Sequence, residues 1–236
     1  MTLRTQEYLG IQIDLNKENN LGQFSINTLQ DRYFWENETH AQHAFARASI
    51  FGATYKGITD YDLAQRLYNY ASSCWFMFST PILSNGGTSR GLPISCFLNY
   101  VPDSRSGLSD HYDENIWLAS AGGGVGGYWG DVRSNGTGTS SGSKSTGSIP
   151  FMHVVDSQML AFNQGVTRRG SYAAYMDISH PEVEEFIAMR KSTGGDLNRK
   201  CLNLHNAINI THEFLDAVSE DKDWRLIDPK SKEAVK

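Results

Sequence analysis

Three short stretches of this 236-residue chain hold residue types suited to chemistry. Cys96 sits in PISCFLNYVPDS, a thiol inside an apolar run. Arg168 and Arg169 stand side by side between glycines in NQGVTRRGSY, and GGGVGG (Gly122 to Gly127) leads into Tyr128, Trp129 and a glycine-, serine- and threonine-rich tract ending at Ser148. A thiol delivers electrons when a second thiol lies near enough to close a disulfide, which needs Cα atoms within about 7 Å. Guanidinium groups offer a fork of permanently charged donors that suits phosphates or bases. Residues without a Cβ let another molecule approach the backbone closely.

Each stretch also has a plain structural reading. A cysteine in an apolar strand is commonly a small packing residue. The arginine pair could be a solvated turn, and the tract from Ser134 to Ser148 has the composition of a mobile surface loop. The glycine run fits a dinucleotide-type GxGxxG only loosely, at Gly122, Gly124 and Gly127, and Lys144 is not followed by the helix a P-loop requires. Cys74, Cys96 and Cys201 are odd in number and form no CxxC pair, and the seven histidines lack metal-ligand spacing. Both facts argue against a disulfide framework and against a metal site. A net charge of −5 without a basic block disfavours nucleic acid as a partner. No apolar run approaches the roughly 18 residues of a membrane span, so the expectation is a cytoplasmic protein with no membrane partner.

The positioning elements follow from periodicity. Residues 36–53 and 60–78 carry apolar residues at helical spacing, whereas Pro81, Asn85, Gly86 and Gly87 break the pattern. Residues 92–101 read as a buried strand, followed by a helix starting near Ser109 that the glycine run stops. A second helix starts at Pro150, and 170–178 reads as a strand. Ser179 and Glu182 have capping-box spacing ahead of EVEEFIAMRKSTGG. NLHNAINI reads as a further strand, and Thr211 opens a last helix. Strands and helices alternate from about residue 90, which predicts an α/β sheet or barrel.

Taken in order, FSTPILSNGGTSRGLPISCFLNYVPDS, AGGGVGGYWGDVRSNGTGTSSGSKSTGS, NQGVTRRGSYAAYMDISHPEVEEFIAMRK and NRKCLNLHNAINITHEFLDAV with WRLIDPKS closely resemble the catalytic large (alpha) subunit of ribonucleotide reductase. The likeness covers the chain from about residue 60 onward and is class I-like. It implies an α/β fold: a small amino-terminal helical segment over 1–78 without a full ATP-cone, then over 79–236 most of the first half of a ten-stranded α/β barrel with specificity-site loops. It also implies reduction of ribonucleotides to deoxyribonucleotides by thiyl-radical chemistry, under deoxynucleotide control of substrate choice. By this resemblance Cys96 is one thiol of the reducing pair, and Thr80, Ser95, Cys96, Gly123, Gly124 and Arg168 line the substrate in an enclosed, dry cavity. Asp103, Ser104, Arg133, Gln164 and Gly165 hold a dNTP or ATP effector, with Asp103 on its ribose and Arg133 on its phosphates.

No cofactor is expected in the chain itself. The implied radical comes from a metal-containing small subunit, with cobalamin as the alternative source. The family's later asparagine, cysteine and glutamate motif, its radical-carrying tyrosines and its carboxyl-terminal cysteines have no counterpart in this sequence. The expectation is therefore the amino-terminal part of a split or truncated large subunit, inactive alone. It would need a complementary carboxy-terminal chain, a radical-generating small subunit and self-association through the helices near 109–120 and 150–163. The alternative is a non-catalytic, deoxynucleotide-sensing or regulatory remnant; an adapter using the Gly/Ser tract as a linker is a third reading.

Overall fold

The computed structural model describes residues 4–162 and 170–236. Gln164, Gly165 and Arg168 lie outside the described residues. The chain divides after Ser95 into two units, whereas the sequence reading puts the change at 78/79.

The first unit opens with a hairpin of β1 (Thr5–Tyr8) and β2 (Ile11–Asp14). Leu9 and Gly10 both take positive φ in its turn, the conformation that two-residue hairpins favour. Then come α1 (Gln23–Arg32), α2 (Ala41–Gly52), a short hairpin of β3 (Thr54–Tyr55) and β4 (Ile58–Thr59), α3 (Tyr61–Ser72) and α4 (Thr80–Asn85). Helix α2 is the centre, buried from Ala41 through Ser49. Its Arg47 pairs with Glu38 at 2.7 Å and donates to the carbonyls of Gly86 (2.7 Å), Leu83 and Tyr33 (both 3.1 Å). A buried guanidinium requires this full set of acceptors. That anchoring explains why PILSNGG, a chain break by composition, folds as α4: Pro81 occupies the first turn, where it loses no bond, and Leu83 is buried.

The second unit alternates strand and helix: β5 (Cys96–Tyr100), α5 (Arg105–Ser120), β6 (Gly124–Tyr128), α6 (Ile149–Ala161), β7 (Ser171–Asp177), α7 (Val183–Ala188), β8 (His205–Asn209) and α8 (His212–Ser219). The four strands form one parallel sheet in sequential order. Each connection between neighbours is long enough for the helix that parallel pairing demands. Helix α5 starts at Arg105, ahead of the expected Ser109, because the Ser104 hydroxyl accepts the Gly107 N–H at 3.0 Å. Thr211 caps α8 as expected, accepting from Phe214 N–H.

Side chains alternate across this sheet. Tyr172, Ala174 and Met176 of β7 and Val125 of β6 are buried in a core shared with Met152, Val155 and Phe186. Three glycines of the run are held by close contacts, Gly126 on the face away from this core and Gly127 on the core face. A Cβ on Gly123 would meet Phe97 and the Leu118 carbonyl, one on Gly126 would meet Leu98 and Tyr175, and one on Gly127 would collide with the Tyr172 hydroxyl. Tyr172 needs that space, since its hydroxyl takes the Trp129 indole N–H at 3.0 Å and lies 3.0 Å from His111 Nε2. The same nitrogen is 3.0 Å from the Asn115 amide, and Asn115 Oδ1 accepts from Asn99 at 3.2 Å. Burial pushes His111 down to about 4 and Tyr112 up to about 12.

The Ser179/Glu182 capping box does not form. Glu182 itself precedes α7 and caps nothing with its side chain, because its carboxylate is bonded to Ser148.

Candidate functional site

Parallel pairing brings Cys96 opposite Gly124, and Gly124 opposite Ser171. Cys96, Leu98 and Tyr100 point to the sheet face away from the buried core, and all three are exposed, Leu98 at 85% and Tyr100 at 54%. Tyr128 and Asp177 continue this face, with the Tyr128 hydroxyl donating to Asp177 Oδ2 at 2.5 Å. Asn209 donates to the other oxygen at 3.0 Å. Burial, with the Asp177 carboxylate beside it, drives the Tyr128 hydroxyl well above the usual phenol range. Cys96 is therefore a solvent-facing thiol, in contrast to the enclosed cavity expected for it. Cys201 is wholly buried, and burial raises its thiol to about 12, the behaviour of a packing residue. Thr80 opens α4 in the first unit with its hydroxyl 3.2 Å from that of Tyr33, and half-buried Ser95 ends that unit. Gly123 is buried and Gly124 half-buried.

A second constellation lies where β5 hands over to α5. Asp103 and Arg133, thirty residues apart, form an ion pair. Arg133 Nε donates to both carboxylate oxygens at 2.9 Å, and Nη2 lies 2.8 Å from Oδ2. The Asp103 carboxylate pushes the Arg133 guanidinium up. These two residues, with Ser104, line a cleft of about 540 Å³ whose walls also include Arg105, Leu108, Lys144 and Phe151. Three cationic side chains, the amino-terminal end of α5 and a row of hydroxyls at Thr139, Ser140, Ser141 and Ser145 face this space. That donor set fits an anionic ligand of nucleotide size.

The tract from Ser134 to Ser148 supplies the cleft's outer wall, and it is a hairpin rather than an open loop. Gly136 N–H donates to Ser145 O at 2.9 Å, Ser145 N–H to Thr137 O at 2.8 Å, and Thr139 N–H to Ser143 O at 2.8 Å. Arg133 Nη1 donates to Gly138 O at 3.0 Å, joining the ion pair to the hairpin. Gly136, Gly142 and Gly147 take positive φ at its bends, which explains the glycines that composition suggests are linker. Asp228, which sequence reasoning missed, is bonded to this hairpin. Its only sequence signal is local, an aspartate in DPKS that accepts the N–H groups of Lys230 and Ser231.

Among the described residues no group of His, Cys, Asp or Glu is placed to hold a metal ion, and no helix is long and apolar enough to cross a membrane.

Residues 94–236 match the family model of the ribonucleotide reductase barrel domain, and residues 19–91 match that of the ribonucleotide reductase all-alpha domain. A protein of Frog virus 3 named as a ribonucleoside-diphosphate reductase large subunit is 55% identical over 170 residues, covering 72% of this chain and 29% of that protein. The ribonucleoside-diphosphate reductase large subunit of Invertebrate iridescent virus 6 is 40% identical over 229 residues, covering 94% of this chain and 22% of that protein. Among solved structures, the Actinobacillus ureae class Id ribonucleotide reductase alpha subunit matches with a TM-score of 0.69 and 29% identity, over 85% of this chain and 35% of that one. The chain thus spans less than a third of the length of these two viral relatives.

Proposed function

This chain belongs to the ribonucleotide reductase large-subunit family, and from that premise we propose that it contributes the effector cleft and one reducing thiol to a ribonucleoside-diphosphate reductase. The observation that carries this reading is the Asp103–Arg133 pair set in a cationic, hydroxyl-lined cleft at the start of α5. A deoxynucleoside triphosphate fits that donor set, with phosphates toward Arg133, Arg105 and Lys144 and the ribose hydroxyl toward Asp103. Gln164, Gly165 and Arg168 would relay the effector's identity to the substrate.

Reduction needs two electrons. The ribose 2′ C–O bond breaks, the oxygen leaves as water, a C–H bond forms in its place, and two thiols close to a disulfide. A radical supplied by a metal-containing small subunit would make a thiyl radical, which takes the 3′ hydrogen and later returns it. Cys96 is the candidate for one thiol of the reducing pair, paired in register with Gly124, whose lack of a side chain leaves room for the sugar. The family resemblance assigns Thr80, Ser95 and Gly123 to the substrate as well. The second thiol and the cover for the exposed Cys96 face would come from a complementary polypeptide. Trp117, Val154 and Leu160, exposed on the paired helices α5 and α6, support self-association through these helices.

The test mixes the chain with a complementary large-subunit polypeptide and a small subunit and measures conversion of cytidine diphosphate to its deoxy form. Turnover is expected, with Cys96→Ser abolishing it. Absence of both association and turnover would overturn the proposal. The exposure of Cys96 favours one second reading, a deoxynucleotide sensor without catalysis. Under that reading the Cys96→Ser chain would keep its full regulatory effect.

A further inference from the structure

The hairpin that walls the cleft hangs from two buried carboxylates, one at each end. At its start, Asp228 Oδ2 accepts three bonds: from Ser134 N–H at 2.8 Å, from Ser134 Oγ at 2.6 Å and from Thr137 Oγ1 at 2.8 Å. Asp228 Oδ1 accepts the N–H groups of Lys230 (2.9 Å) and Ser231 (2.8 Å). At the hairpin's end, Glu182 Oε2 accepts Ser148 N–H at 2.7 Å and Ser148 Oγ at 2.8 Å. Arg199 then ties Glu182 to the same stem, donating to Glu182 Oε1 at 3.2 Å and to the Thr146 carbonyl at 2.8 Å. The device is the same at both ends: a buried serine gives its N–H and its hydroxyl to one carboxylate oxygen. The carboxylates come from positions 94 and 34 residues along the chain, and they are 1% and 5% exposed.

We propose that Asp228 and Glu182 are positioning residues for the anion cleft, holding both stems of the hairpin so that Arg133 and Lys144 face a nucleoside triphosphate. This rests on the reading of the cleft as an effector site. A buried carboxylate is expensive to desolvate unless donors converge on it. Here the donors come from the hairpin stems, from Arg199 and from the turn that carries Asp228. Carboxylate oxygens only accept, so five donors converge on Asp228 without conflict. An amide would turn an NH₂ group toward donors on one side or the other. The link to ligand binding is short, because Arg133 precedes Ser134 and donates to Gly138 within the hairpin.

Calorimetric titration of the full chain with dTTP, alongside its thermal midpoint, tests the proposal in the wild type, Asp228→Asn, Glu182→Gln and the milder Ser134→Ala and Ser148→Ala. Both carboxylate variants are expected to bind dTTP about tenfold more weakly. In an Arg133→Ala background, Asp228→Asn should cost less than about tenfold, because only the Lys144 contact is left to lose, while still lowering the midpoint. A purely structural role would move the midpoint alone. If the carboxylate variants do not fold, the serine variants decide: a several-fold weaker Kd supports the proposal, and unchanged affinity in both overturns it. Folded carboxylate variants with wild-type affinity also overturn it. Failure of the wild type to bind dTTP would instead remove the effector reading beneath it.

Discussion

The cleft beside Arg133 and the sheet face beside Cys96 belong to the same unit and differ in completeness. Around the cleft, the Arg133–Asp103 pair is closed, the hairpin's serines are bonded to Asp228 and Glu182, and a polar wall is in place. On the thiol face, Leu98 and Tyr100 meet solvent and Cys96 is exposed beside Leu98 at the start of the strand. In the proposed reading, recognition of an anion uses residues this chain contains. Reduction of a sugar, which needs water excluded and two thiols together, requires a covering surface on that face.

The largest expected effect breaks the complete side. Arg133→Ala removes a charge-assisted fork and leaves the Asp103 carboxylate facing the incoming phosphates. The expected loss is about 4 kcal/mol, or roughly a thousandfold in Kd for dTTP, read by calorimetry. Retained affinity would mean that the cleft is not the binding site.

Next comes the buried face of the sheet, which both regions share. His111, enclosed by Asn115, Tyr112, Trp129 and Tyr172, has its folded pKa lowered to about 4 by burial, against 6.5 when free. The folded state therefore resists a proton that the unfolded state accepts. Stability is full above pH 6.5 and is lost as pH falls from there toward 4, by on the order of 3 kcal/mol. Urea midpoints across this range should show the slope, and His111→Asn should flatten it; equal slopes would place the proton elsewhere.

A smaller effect separates packing from ligand contact in the glycine run. Gly127→Ala puts a methyl group against the Tyr172 hydroxyl and should destabilise by about 2 kcal/mol in urea unfolding. Smallest of all, Leu98→Ser on the bare face should change the stability of this chain by no more than about 0.5 kcal/mol. A larger loss would mean that the face is covered in solution.

What could be read from the sequence divides along the same physical line. Strands β5, β7 and β8, helix α6 and the Thr211 cap follow from apolar runs, periodicity and local capping, so they were legible; β6 was not, because its glycines read as a helix stop rather than as a strand. Helix α4 was not, because its stability comes from Arg47, whose acceptors include the carbonyls of Leu83 and Gly86. The β1–β2 hairpin was hidden because Leu9 occupies a positive-φ position where a glycine or asparagine would have signalled the turn. Glu182 was misread as half of a local capping box, since nothing nearby in sequence shows that Ser148 claims its carboxylate. Asp103, Arg133 and Cys96 were legible only through family resemblance, because the ion pair spans thirty residues and the strand register is fixed by the fold. Asp228 had no signal beyond its own turn.

The central claim, a complete effector cleft beside an incomplete reducing site, is tested most directly by titrating the isolated chain and its Cys96→Ser variant with dTTP. The account predicts saturable binding at one site per chain, equal in both. No binding in either, or binding that depends on the thiol, would contradict it.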